Sequence, residues 1–281
     1  MFDYLLELLS NTFMIRALVV GALVALCASL LGVSLVLKKY SMIGDGLSHV
    51  SFCALAIATA LNFAPLLVSI PVVTLSAFLL LRLSENSKIK GDSAIALIST
   101  SSLAIGGIII SVTSGMNTDV CNYMFGSIVA LSKTDVIISI ILSVIVIVLY
   151  ILFYTKIFAV TFDENFARAT GTKSGLYNTL IALLTAITIV IGMRLMGALL
   201  ISSLIVFPAL ISMRVFKNFK SVVICSAIVS VVCFLVGMIV TSLFSTGVGS
   251  SIVCVNIVMF AIFSLIGILM RRTKAWKILK N

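Results

Sequence analysis

Histidine occurs once in this chain, at His49, and charged residues fill only 10% of its 281 positions. With one histidine, a zinc site of two histidines and a carboxylate cannot form within one subunit, which argues against an intramembrane metalloenzyme. A serine or aspartyl hydrolase also lacks an obvious nucleophile and base pair. The six cysteines, Cys27, Cys53, Cys121, Cys225, Cys233 and Cys254, never form a CxxC pair, so neither a metal cluster nor a disulfide framework is indicated. They read as small buried hydrophobes. No GxxxxGK[ST] loop is present, so the chain supplies no P-loop ATP site. No folded basic domain or basic stripe exists to turn the net charge of +10 into a nucleic-acid surface, and no nucleic-acid partner is expected.

What the chain has in abundance is apolar sequence, 62% of residues with a mean hydropathy of +1.31. Apolar runs of about 17 to 25 residues, the length that crosses a hydrocarbon core of about 30 Å, recur from end to end. The expectation is an all-α, polytopic integral membrane protein forming one transmembrane domain over residues 1–281. The runs predict about nine transmembrane helices, near 14–37, 41–62, 65–82, 93–112, 134–154, 176–192, 196–212, 221–243 and 251–270. The start, MFDYLLELLSNTFMIR, carries acids where a signal peptide carries bases and reads as mature sequence.

Charge sets the expected orientation. With the C-terminus in the cytoplasm, every lysine and arginine except Arg16, Lys133 and Arg194 falls on an inner segment, so the positive-inside rule puts the N-terminus outside. Anionic lipids of the inner leaflet become partners of that positive face. Asp3, Glu7, Asp119 and Asp135 fall on the outer side, where Asp119 and Asp135 would draw cations to the mouth or simply be solvated. Residues 114–133 predict a short helix packed at that mouth. The likeness between SMIGDGLSHVSF and RLMGALLISSLI (194–205) reads as chance between apolar helices rather than as inverted halves.

The stretch SMIGDGLSHVSFCALAI (41–57) places Asp45 and His49 inside an apolar run. If the helix starts at Ser41, Asp45 lies about 6 Å and His49 about 12 Å from its inner end. The i, i+4 spacing puts both on one face, and Cys53 continues it. A carboxylate at such depth costs on the order of 3 kcal/mol unless compensated, and a divalent cation would compensate it. Oxygen plus imidazole suits zinc, manganese or iron(II), and a thiolate from Cys53 would tilt the set to zinc. Gly44 and Gly46 would loosen the helix around Asp45. The alternative is structural, with Asp45 capping the helix and His49 bonded to a neighbouring one.

The inner link TKIFAVTFDENFARATGTKSG (155–175) predicts a short helix, favoured by Glu164, Ala167, Arg168 and Ala169 and stopped at Gly171. It is either a plain turn or a coupling helix for a cytoplasmic motor.

KKYSMIGDGLSHVSFCALAIA (38–58) resembles the signature of ATP-binding-cassette permeases for zinc and manganese, whose usual form runs close to GDALSHAVLPGIALA. YMFGSIVALSKTD (123–135), FDENFARATG (162–171) and MGALLISSLIVFPAL (196–210) resemble three further blocks of that family in the same order. The resemblance spans residues from about 12 to 270. It implies a type II ABC importer-like permease in the cell membrane, paired as a homodimer. It further implies a separate cytoplasmic ABC ATPase and an extracytoplasmic metal-binding protein as partners. The chain itself would be a transporter subunit that holds no cofactor and passes a divalent metal, zinc favoured over manganese. The family's metal ligands map onto Asp45 and His49, and its coupling segment onto Asp163, Glu164, Phe166, Ala167, Arg168 and Gly171. Two departures stand out: Ser51, Phe52, Cys53 and Ala54 replace a usual Pro-Gly pair, and Ser245 stands where many relatives carry Asp. A related permease for a metal chelate or vitamin would need a wide apolar cavity, which the Asp45 and His49 pair speaks against.

Overall fold

The computed structural model describes residues 12–86, 91–113, 133–244 and 246–278. Asp3, Glu7, Asp119, Cys121, Ser245 and the outer segment 114–132 lie outside them. Among the described residues the regular structure is helical: α1 (Thr12–Leu37), α2 (Ile43–Ala60), α3 (Pro65–Asn86), α4 (Gly91–Thr113), α5 (Lys133–Leu152), α6 (Tyr154–Phe162), α7 (Glu164–Ala169), α8 (Ser174–Met196), α9 (Ala198–Val215), α10 (Phe219–Phe244) and α11 (Val248–Ile278). Eight of these are long and apolar enough to cross a membrane, and α3 carries a shorter apolar stretch, Leu66–Leu80. The chain is a multi-pass membrane protein.

Helix α1 is the hub. It packs against α5, α6, α8, α9 and α10, while α2 lies between α3, α4, α8 and α9. Burial follows that placement: 72% of the apolar window is buried in both α1 and α2, but only 17% in α4 and α11. The outward residues of the peripheral helices are nevertheless apolar, such as Ile108, Val112, Leu265 and Leu269, as a lipid-facing surface requires. Between helices in lipid the hydrophobic effect offers little, so close contact of small residues and buried polar bonds hold the centre. Gly32 of α1 is one such contact, where an added Cβ would lie 1.9 Å from the Ile205 carbonyl oxygen of α9. Two serines of α10 extend the seam to α1: Ser230 donates to the Ala25 carbonyl at 2.8 Å and Ser226 to that of Ser29 at 3.4 Å.

Three helix ends share one turn geometry. After α1, Tyr40 N–H donates to Leu35 O at 2.9 Å and Lys39 N–H to Val36 O at 3.1 Å, with Lys39 at φ 63°. After α2, Phe63 N–H reaches Ala58 O and Asn62 N–H reaches Thr59 O, with Asn62 at φ 54°. After α7, Thr172 N–H reaches Ala167 O and Gly171 N–H reaches Arg168 O, with Gly171 at φ 81°. Each is a Schellman closure, which satisfies the last carbonyls of its helix.

Candidate functional site

Helix α2 begins at Ile43, and its N-cap is Met42, whose side chain makes no capping bond. Asp45 is therefore a first-turn residue rather than the cap, placed where a negative charge meets the positive helix end. The later start also shortens the expected depths, to about 3 Å for Asp45 and about 9 Å for His49 from the helix start. The helix runs unbroken through both glycines, so the expected loosening is absent. Gly44 and Gly46 instead allow close packing: a Cβ on Gly44 would meet Ile205 Cδ1 of α9 at 3.0 Å, and one on Gly46 would meet Ile95 Cγ2 of α4 at 2.7 Å.

Asp45 Oδ2 and His49 Nε2 stand 3.7 Å apart on one face, with side chains 46% and 19% exposed. That separation is too long for a hydrogen bond. Two ligands each about 2.1 Å from one tetrahedral ion would themselves be about 3.4 Å apart, close to this separation. Cys53 is not gathered with them. Among the described residues no group of three or more His, Cys, Asp or Glu side chains lies together. Cys53 is buried where α2 meets α4, its Cα 3.1 Å from where a Cβ of Gly106 would stand.

The link 155–175 holds two helices where the sequence predicts one. Tyr154, Phe158 and Phe162 of α6 stand one turn apart and each pairs with Phe219, at 5.6, 5.0 and 6.0 Å between ring centroids. Asp163 then caps α7, accepting from Phe166 N–H at 3.0 Å. Ala167 is fully buried inside the chain, so it cannot itself enter a partner's cleft. Glu164 also turns inward, where it accepts from Arg168 at 2.6 Å and lies 3.8 Å from Lys38. Phe166 projects outward and is 64% exposed. Burial alone would raise the Glu164 pKa, but the hydrogen bond from Asn178, the Lys38 ammonium, Arg168 and Ser174 together hold it below the usual carboxylate value.

Asp135 is buried in the first turn of α5, and Arg194 in the last turn of α8 donates to it at 2.7 Å. Lys38 and Asn178 meet across 140 residues of chain, so a local reading of the sequence passes over their contact.

The profile of the ABC 3 transport family matches residues 10–267. The chain is 28% identical over 246 residues to the high-affinity zinc uptake system membrane protein ZnuB of Haemophilus influenzae, spanning 88% of this chain and 94% of the relative. It is 28% identical over 250 residues to the manganese import system permease protein ScaB of Streptococcus gordonii, spanning 89% and 90%. The solved structure of PsaBC from Streptococcus pneumoniae in complex with Fab matches with a TM-score of 0.83 at 28% identity, over 93% of this chain and 94% of that one.

Proposed function

Because the chain belongs to the ABC 3 transport family and is a metal-ion permease rather than an enzyme, we propose that it imports a divalent transition metal, zinc in preference to manganese, through Asp45 and His49. The observation that carries this reading is the 3.7 Å spacing of a carboxylate and an imidazole on one helix face. The metal is the transported substrate. A site that passes its ion on must bind it and also release it, which a partly exposed pair open to exchange allows. A homodimer would complete the site, since two copies around a two-fold axis bring two carboxylates and two imidazoles to one ion. Imidazole favours zinc over manganese in the general affinity order. Cys53, buried against α4, acts in this reading as a packing residue.

Energy comes from a separate cytoplasmic ATPase, for which the outward Phe166 of α7 is the docking side chain, and an extracytoplasmic binding protein delivers the ion. The relatives named for zinc and manganese uptake support the substrate class. The test is uptake into proteoliposomes containing the assembled transporter. Asp45→Ala and His49→Ala should each abolish ATP-driven uptake while the protein still assembles with its ATPase. Zinc should inhibit manganese uptake at lower concentration than the reverse, and Cys53→Ser should leave that order unchanged. Normal uptake by either alanine variant would reject the site, and equal competition would reject the zinc preference.

A further inference from the structure

Lys38 belongs by sequence with the basic residues that set orientation, yet its side chain is only 10% exposed. It follows directly on α1, donates to Asn178 Oδ1 of α8 and lies 3.8 Å from Glu164 Oε2 of α7. Glu164 is held in turn by Arg168, whose Nε donates to Ser174 Oγ at 2.7 Å. Lys38 thus ties three elements together: the end of α1, the short helix α7 and the start of α8. Toward α2 the chain has no slack. Lys39 and Tyr40 close the Schellman turn, Ile43 N–H donates to Tyr40 O at 3.0 Å, and Gly46 N–H donates to Met42 O at 3.0 Å. Asp45 lies inside that last hydrogen-bonded turn.

We propose that Lys38 is a transmission residue, which carries displacement of α7 through the hydrogen-bonded α1–α2 turn to Asp45 and His49. Charge makes this link different from an apolar contact. Apolar surfaces slide over one another at little cost, whereas a largely buried ammonium that leaves its carboxylate and amide gives up directed, charge-assisted bonds. Lys38 and Glu164 are therefore bound to move together, and a push on α7 reaches the start of α2 instead of being absorbed between them. The inference rests on the reading of α7 as the ATPase contact and adds the path by which that contact reaches the metal pair.

The experiment measures metal ions taken up per ATP hydrolysed by the assembled transporter in proteoliposomes. Lys38→Met keeps the unbranched stem and removes the charge, and it should lower that ratio about 5-fold or more while hydrolysis continues. Glu164→Gln should act in the same direction. The double variant should be no worse than the more impaired single one, because both remove one link. An unchanged ratio in Lys38→Met would overturn the inference. So would losses that multiply in the double variant, or a parallel fall of hydrolysis, uptake and thermal midpoint, which would mark Lys38 as purely structural. Failure of the unaltered transporter to take up metal with ATP would instead reject the proposed function, and the transmission role with it.

Discussion

Arg194 and Asp135 show how much depends on a single pairing. Their side chains are 20% and 10% exposed at the junction of α5 and α8, so the pair is largely shielded from solvent. Removing one partner from a buried pair costs about 3 to 5 kcal/mol, whereas replacing both by neutral groups is often nearly neutral. Arg194→Met should therefore lower the thermal midpoint of the detergent-solubilised protein sharply, and Asp135→Asn with Arg194→Met should recover most of the loss. Uptake by the double variant adds a second reading. Retained uptake would assign Asp135 a structural role, and lost uptake in a stable protein would return it to the ion's outer path. The sequence shows an aspartate near the outer end of a span. It does not show Arg194, which lies 59 residues away along the chain.

At the scale of elements, the spans predicted from apolar runs coincide with the observed helices to within a few residues at most ends. Apolar length is a strong signal because lipid demands it of every crossing segment. What the sequence leaves hidden is what side chains meet across helices. Gly44 and Gly46 read as loosening residues, yet each marks the close approach of a neighbouring helix. The site is legible to the same extent: i, i+4 periodicity places Asp45 and His49 on one face, but whether Cys53 joins them depends on how α2 meets α4. Helix α7 is legible from Glu164, Ala167, Arg168 and Ala169 with Gly171 at its close, while its Asp163 cap emerges only in the structure. Its anchoring is not legible either, because Lys38 and Asn178 stand 140 residues apart. The Glu164 pKa gives that anchoring a pH signature. A carboxyl held below its ordinary value contributes stability that is present above the ordinary value and lost as pH falls through the lowered one. A spin label at the exposed position Ala169→Cys should thus be ordered near neutral pH and gain mobility as acidification passes below the ordinary carboxylate value to the lowered one. Glu164→Gln should be mobile at every pH. A label that is equally ordered throughout would mean the carboxylate does not hold α7 in place.

For the whole molecule, the open quantity is the parity of the crossings, and α3 decides it. Eight helices satisfy length and apolarity, and an even number alone would return both termini to one side. The apolar stretch of α3, Leu66–Leu80, covers about 22 Å, less than the roughly 30 Å core. Helix α3 as a whole has 22 residues, about 33 Å, long enough to span that core. Counted with α3, the crossings among the described residues would number nine, the count for which the positive-inside rule collects most lysines and arginines of the sequence on one side. That count with the positive-inside rule would put the α2–α3 turn at Asn62 outside and the α6 surface at Lys156 inside. In intact cells, with the endogenous cysteines replaced, a membrane-impermeant thiol reagent should label Asn62→Cys and fail to label Lys156→Cys until the membrane is permeabilised. The same labelling pattern at both positions would remove α3 from the crossings and turn the inner charge cluster into a feature without a topological cause.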